Sequence, residues 1–318
     1  QEVTTIVDRL GEGISHAIGT GGHDLSAGVG GLTMMAGLKM LIEDDETDVI
    51  VLVSKPPAKE VAKKVLALAM STAKPVVVCF LGAPAGSISG PNLTAATTLE
   101  AAAQNAVALI RRQTANFISA DADSDEVKKI AATLVQNLQP QQRYIRGLYS
   151  GGTFCYEALL NLQHRLPELY SNIPTGKVKK LANNYQSQTN TIIDLGDDDF
   201  TRGKPHPMID PSQRNERLIK DAADPETALI LFDVVIGYGA NADPAAEIAQ
   251  AIEQAQQGAA KENRNVVFIG FVCGTDKDPQ NLAEQCRKLQ AVGVHLCHSN
   301  AQAIALAGAV MAQCGNNA

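Results

Sequence analysis

Tryptophan is absent from this 318-residue chain, and aromatic residues make up only 4% of it. A surface that stacks nucleic-acid bases needs such rings, and one that neutralises phosphates needs a basic face. With 27 Lys and Arg against 34 Asp and Glu, the formal net charge is -7, which supplies neither. Nucleic acid is therefore excluded as a partner. No apolar run approaches the roughly 18 to 20 residues that cross a bilayer, and the first residues lack the pattern of a signal peptide. No membrane association is expected, and the expected location is cytoplasmic. The six cysteines show no CxxC spacing and no grouping suited to a metal. Cys79, Cys273 and Cys297 sit in apolar runs and read as small core hydrophobes, in keeping with a reducing compartment. No GxxxxGK[ST] loop is present, so a nucleotide cradle of that kind is excluded.

What is present is enough apolar material, 45% of residues, for about two domains of ordinary size. Position 1 is Gln, and Val3, Ile6, Val7 and Leu10 have helical spacing from the outset, which predicts an amino-terminal truncation. Apolar runs and amphipathic stretches then alternate, the pattern of parallel sheets with crossover helices. In the first half strands are predicted at Ile14–Gly19, Val49–Val53, Pro75–Leu81 and Leu93–Thr97, with helices at Leu32–Glu43, Ala58–Thr72 and Leu99–Arg112. Residues 113–142 are polar, acidic around Asp121–Glu126 and briefly helical, and read as a linker. The second half predicts strands at Tyr144–Leu148, Thr191–Leu195, Ala228–Ile236, Asn265–Val272 and Val294–His298. Helices follow at Phe154–Leu166, Gln213–Ala222, Ala245–Ala259, Gln280–Ala291 and Ala301–Cys314. Asp243-Pro244 and Asp278-Pro279 each read as an N-cap carboxylate before a first-turn proline. The fold class expected is α/β, with two flavodoxin-like, doubly wound parallel-sheet domains.

Three glycine-rich turns follow strands: Gly19-Thr20-Gly21-Gly22, Ser150-Gly151-Gly152-Thr153, and Gly237-Tyr238-Gly239. Glycine lets backbone approach an anion, and a following helix offers N–H groups and the positive end of its dipole. A phosphate-bearing small molecule is the natural guest, although each turn alone also fits plain turn geometry. Lys55, at a strand end and stiffened by Pro56 and Pro57, is a candidate counter-charge for a phosphate or carboxylate. Between Ile192 and Pro211 an apolar strand runs into a loop holding Asp197, Asp198, Asp199, Lys204 and His206, stiffened by Pro205, Pro207 and Pro211. Charge placed just after a strand of an open α/β sheet faces the ligand crevice. Asp197, Asp198, Lys204 and His206 are therefore the catalytic candidates, His206 as acid, base or ligand. The carboxylates suit Mg²⁺, but no ligand set is defined, and no metal residue is assigned.

Four stretches together carry a family resemblance: Ile18-Gly-Thr-Gly-Gly-His-Asp-Leu25, Val53-Ser-Lys-Pro-Pro-Ala58, Gly147-Leu-Tyr-Ser-Gly-Gly-Thr153, and Asp194-Leu-Gly-Asp-Asp-Asp-Phe200 running on to Lys204-Pro-His-Pro-Met-Ile-Asp-Pro211. The chain resembles the FdrA family, a branch of the succinyl-CoA synthetase superfamily of predicted acyl-CoA synthetases. The resemblance implies that residues 1–112 correspond to the ligase domain of an α subunit, lacking its first strand. It implies that residues 143–318 correspond to the carboxyl-terminal ligase domain of a β subunit. The CoA-binding domain and the ATP-grasp domain are then expected outside the chain, and CoA enters as a cofactor only through that missing region.

The departures shape the functional expectation. The resemblance implies a phosphorylated histidine before the last strand of the first domain, but Gly82–Asn92 holds none, and Ser54-Lys55-Pro56-Pro57 stands where its acidic partner is expected. The turn at Ser150–Thr153 is retained. That combination suits a group-transfer subunit acting on an acyl or carbamoyl phosphate. FdrA-type proteins are associated with carbamoyl transfer to oxamate in allantoin and purine-nitrogen breakdown, alongside partner enzyme subunits. A homo-oligomer is also expected. The alternatives are a conventional acyl-CoA synthetase or succinate-CoA ligase-like enzyme, and a non-catalytic scaffold subunit.

Overall fold

A computed structural model of the chain describes residues 1–84 and 86–316. The chain divides between Ser119 and Ala120 into two compact units.

In the first unit, β1 (Ile50–Ser54), β2 (Val76–Phe80) and β3 (Leu93–Ala95) form a parallel sheet in that order. Val76–Phe80 is apolar throughout and buried throughout, as the central strand of a parallel sheet covered on both faces must be. Helix Lys59–Ala69 turns Val61, Val65 and Ala69 inward at a spacing of four, and they pack with Leu38, Ile50, Leu52 and Phe80. Helix Leu99–Ile110 starts at Thr98, whose Oγ1 accepts the Ala101 N–H, and packs on helix Glu2–Arg9 through Ala103, Val107, Ile6 and Val7.

One predicted strand is absent. Ile14–Gly19 forms no ladder; Ile14 and Ile18 stay exposed, and the Ser15 hydroxyl lies 2.9 Å from Thr47 Oγ1. Apolar composition makes a strand only where a neighbour can accept its backbone bonds, and none pairs with this segment among the described residues.

The second unit is a seven-stranded parallel sheet. Its strands are β4 (Tyr144–Tyr149), β5 (Leu169–Ser171), β6 (Lys179–Lys180), β7 (Asn190–Asp194), β8 (Thr227–Val235), β9 (Val267–Cys273) and β10 (His295–Cys297), in spatial order β10-β9-β8-β4-β7-β5-β6. All nine residues of β8 are buried, Asp233 among them. Ile230, Phe232, Val234, Phe268 and Val272 build the core against Ile248 and Ile252 of helix Pro244–Lys261. Full burial of side chains this size contributes about 1.5–3 kcal/mol each. Two exposed lysines form the β6 edge, which discourages further pairing there.

Within residues 113–142, read from sequence as a linker, helix Asp125–Leu134 forms and packs on the final helix, Asn300–Asn316. Of the two predicted carboxylate caps, Asp243 does cap helix Pro244–Lys261. Asp278 does not cap: its Oδ2 turns back to accept the Thr275 N–H at 2.7 Å, and Asn281 caps helix Leu282–Ala291 instead.

Candidate functional site

The chain order reverses at β4, with β5 to β7 on one side and β8 to β10 on the other. Ligands of open α/β sheets bind outside the carboxyl ends of strands at such a reversal. The segments leaving β4, β7 and β8 there are Ser150–Thr153, Leu195–Pro211 and Ile236–Asn241, so three sequence-predicted loops belong to one end of one sheet.

The Ser150 turn is clamped from within the sheet. One carboxylate oxygen of Asp233 accepts the Ser150 N–H at 2.7 Å and the Ser150 hydroxyl at 3.0 Å, and the other accepts the Gly151 N–H at 2.9 Å. Arg214, on helix Ser212–Ala223, donates to the Ser150 hydroxyl at 3.1 Å and to the Asp233 carbonyl at 2.6 Å. Asp233 is fully buried, Arg214 is 2% exposed and Ser150 1%. Burial pushes the Arg214 guanidinium below its ordinary pKa, opposed by the charges of Asp233 and Glu247. The N–H groups of Ser150 and Gly151 are thus taken by the protein's own carboxylate. Helix Gly152–Leu162 begins immediately after, and first-turn N–H groups of an α-helix have no acceptor inside the helix.

At the end of β7, Asp194 and Gly196 meet the same turn. A Cβ added at Gly152 would lie 2.5 Å from Asp194 Oδ2. Added at Gly196, it would lie 2.5 Å from His206 Nε2, 2.8 Å from the Ser150 carbonyl oxygen and 3.2 Å from Asp194 Oδ1. Glycine at 196 is what lets the His206 ring, the β4 turn and Asp194 converge. Asn172 brackets the Asp194 backbone with two bonds of 2.9 Å, one to its carbonyl and one from its N–H.

His206 is half-buried, and its Nδ1 accepts the Met208 N–H at 3.2 Å. The neutral ring therefore carries its proton on Nε2, the atom beside Gly196. The loop is tied to the one after β8: the Asn241 N–H donates to the Met208 carbonyl at 2.8 Å.

Burial pushes the His206 pKa below 6.5, and the charge of Asp233 opposes this without reversing it. Below pH 6.5 the unfolded chain takes up a proton that folded His206 refuses. Stability is therefore full above that pH and falls as pH drops from 6.5 toward the folded pKa. Urea midpoints measured between pH 7.5 and 5.5 should decline, and His206→Gln should flatten part of the decline. Burial also lowers the pKa of His295, which leaves the remainder.

The other predicted residues are placed elsewhere. Asp197 caps the short helix Asp198–Thr201 by accepting the Asp199 N–H at 3.1 Å, while Asp198 and Lys204 are exposed. The acidic run opens a helix, and His206 lies beside the Ser150 turn across Gly196. Gly237 is held on both sides by the Gln280 carboxamide, each bond 3.0 Å, and Gly239 continues that turn at φ +82° beside the exposed Tyr238. Gly19, Thr20, Gly21, Gly22 and Lys55 belong to the first unit. The helix after that glycine turn starts only at Leu32, and Asp24 already accepts its Thr33 and Met34 N–H groups at 2.9 Å each. Burial would raise the Asp24 pKa, but those bonds outweigh it and hold the carboxyl below its ordinary value. A Cβ at Gly19, Gly21 or Gly22 would meet nothing within 4 Å, so that backbone is open to a ligand lying across it. Among the described residues no three His, Cys, Asp or Glu side chains gather to hold a metal ion. No helix among them is long and apolar enough to cross a membrane.

Sequence reading missed Asp194, Arg214 and Asp233. Asp233 had a signal, a lone carboxylate inside an apolar strand, which must be paired if buried.

Residues 148–310 match the family model described as CoA-ligase, and residues 1–82 match that of the CoA binding domain. The chain belongs to the CoA-ligase family. The FdrA resemblance puts the CoA-binding domain ahead of residue 1, whereas residues 1–82 themselves match the model of that domain. The chain is 41% identical over 300 residues to the uncharacterized protein YahF of Escherichia coli (strain K12), covering 94% of this chain and 58% of that one. It thus spans little more than half the length of this curated relative. Among solved structures it is similar to the dinucleotide-forming acetyl-coenzyme A synthetase 1 of Ca. Korarchaeum cryptofilum. Identity to the apo form is 14%, covering 89% of this chain and 57% of that one, with a TM-score of 0.40. The complex of that protein with phosphate and ADP gives 13% with the same coverage and TM-score.

Proposed function

We propose that this chain acts on an acyl or carbamoyl phosphate, as the group-transfer part of a larger enzyme. The phosphoryl oxygens lie at the first turn of helix Gly152–Leu162, facing its N–H groups and the positive end of its dipole. The neutral Nε2–H of His206 donates a hydrogen bond to an oxygen of the same group, and this bond strengthens as negative charge gathers on the departing phosphate. The acceptor's nucleophile forms the new bond to the acyl or carbamoyl carbon, and the phosphate leaves with the electron pair. The proton lost by the acceptor's nucleophile passes to solvent. The observation that carries the reading is the convergence of His206 Nε2, the Ser150 carbonyl and Asp194 around Gly196, beside a helix start. The region that matches CoA-ligase includes all of these and none of the first-unit candidates, so Lys55 and the Gly19–Gly22 turn are assigned to ligand capture in the first unit rather than to this chemistry. CoA, when bound, supplies a thiol as acceptor, and the open backbone at Gly19–Gly22 lies within the region matching a CoA binding domain.

The test uses the full-length protein with its partner subunits. Phosphate release from carbamoyl phosphate or acetyl phosphate should require a small acceptor such as oxamate, and His206→Ala should lower kcat by about 10²–10³-fold. Labelled phosphate passing from ATP onto a histidine of this protein would overturn the reading. The match to a CoA binding domain favours a second reading, thioester formation. CoA-dependent ATP or GTP hydrolysis stimulated by a carboxylic acid would select it.

A further inference from the structure

We infer that Asp233 and Arg214 are the positioning pair of this site, fixing where helix Gly152–Leu162 begins; the inference rests on the proposed function. Three observations carry it. The Asp233 carboxylate is the common acceptor for three donors of the turn, two of them backbone N–H groups. Backbone held in this way cannot drift without leaving a buried carboxylate and two buried N–H groups unsatisfied, which is costly. Arg214 then grips both members of the contact, the Ser150 hydroxyl and the Asp233 carbonyl, from a different element. Its Nε is buried without a hydrogen-bond partner, so this guanidinium is not there to satisfy its own donors. What it does achieve is to join helix Ser212–Ala223, which follows the His206 loop, to β8 and to the turn after β4.

The consequence is geometric. Ser150 and Gly151 spend their N–H groups inward, which leaves the next residues, Gly152 and Thr153, to meet the substrate. Neither Asp233 nor Arg214 needs to touch it. A shift of about 1 Å in a binding group can cost on the order of 100-fold in rate, so slackening this clamp should show in catalysis well before the fold is lost.

Asp233→Asn tests this, because its amide nitrogen cannot accept and at least one of the three bonds is lost. In the full-length protein we expect kcat/KM for acetyl phosphate or carbamoyl phosphate to fall roughly 10- to 100-fold. Amide exchange at Ser150 and Gly151 should quicken about tenfold, and the protection that acetyl phosphate confers on Gly152 and Thr153 should be lost. Arg214→Lys keeps the charge but not the fork, and should give the same changes at smaller size. It carries the test if Asp233→Asn does not fold. Folded variants with wild-type exchange, wild-type protection and wild-type kcat/KM would overturn the inference while leaving the proposed function standing. Wild-type protein that neither releases phosphate nor gains protection at Gly152 and Thr153 would overturn both.

Discussion

Gly196→Ala should inactivate the enzyme while leaving it folded. The added methyl would sit 2.5 Å from His206 Nε2 and 2.8 Å from the Ser150 carbonyl oxygen, both closer than real Cβ contacts come. The two neighbours differ in how they can respond. The imidazole is on a loop and can rotate away, whereas the Ser150 carbonyl belongs to a turn clamped by Asp233. The cheapest relief is therefore to displace His206, which is the group the proposed reaction needs in place. Overpacking of this kind costs about 1–3 kcal/mol, and the thermal midpoint should drop by several degrees without loss of cooperativity. Activity should fall further, by roughly 100-fold or more. Calorimetry beside phosphate-release kinetics checks both. Equal activity in the variant would mean that His206 does not act from beside Gly196.

Most of the scaffold behind this site is legible in the sequence. The predicted strands Pro75–Leu81, Thr191–Leu195 and Ala228–Ile236 are largely apolar runs of strand length, and they form as β2, β7 and β8. Leu169–Ser171 and Lys179–Lys180 do not announce themselves, since strands of two or three residues carry no periodic pattern and exist only because an edge accepts them. The opposite failure is Ile14–Gly19, apolar enough for a strand but without a neighbour. The site itself is half legible. The Ser150 turn and the His206 loop stand out through glycine and proline. Arg214 does not, because Ser212–Ala223 reads as an ordinary charged helix, and only packing decides that Arg214 and Arg217 face inward while Lys220 stays exposed. The acidic run at Asp197–Asp199 has two readings for a related reason: carboxylates cluster at helix starts as readily as at reactive centres.

The buried pair gives the other large effect, and the effect should be lopsided. Arg214→Leu removes a guanidinium but leaves Asp233 with its donors from Ser150 and Gly151, so the carboxylate stays satisfied. Asp233→Leu removes the counter-charge and leaves Arg214 buried, with one carbonyl and one hydroxyl to bond and with its pKa already pushed down by burial. It also orphans two turn N–H groups. Leaving one member of a buried ion pair unpaired costs about 3–5 kcal/mol, against a total of about 5–15 kcal/mol for a typical domain. Asp233→Leu should approach the upper figure and Arg214→Leu should fall clearly below the lower one. With both replaced, no buried charge is left behind, so the double variant should lose less than the two single losses together. Urea unfolding of the three variants measures all of this. A strictly additive double variant, or an Arg214→Leu loss as large as that of Asp233→Leu, would show that the carboxylate is not held chiefly by the turn it clamps.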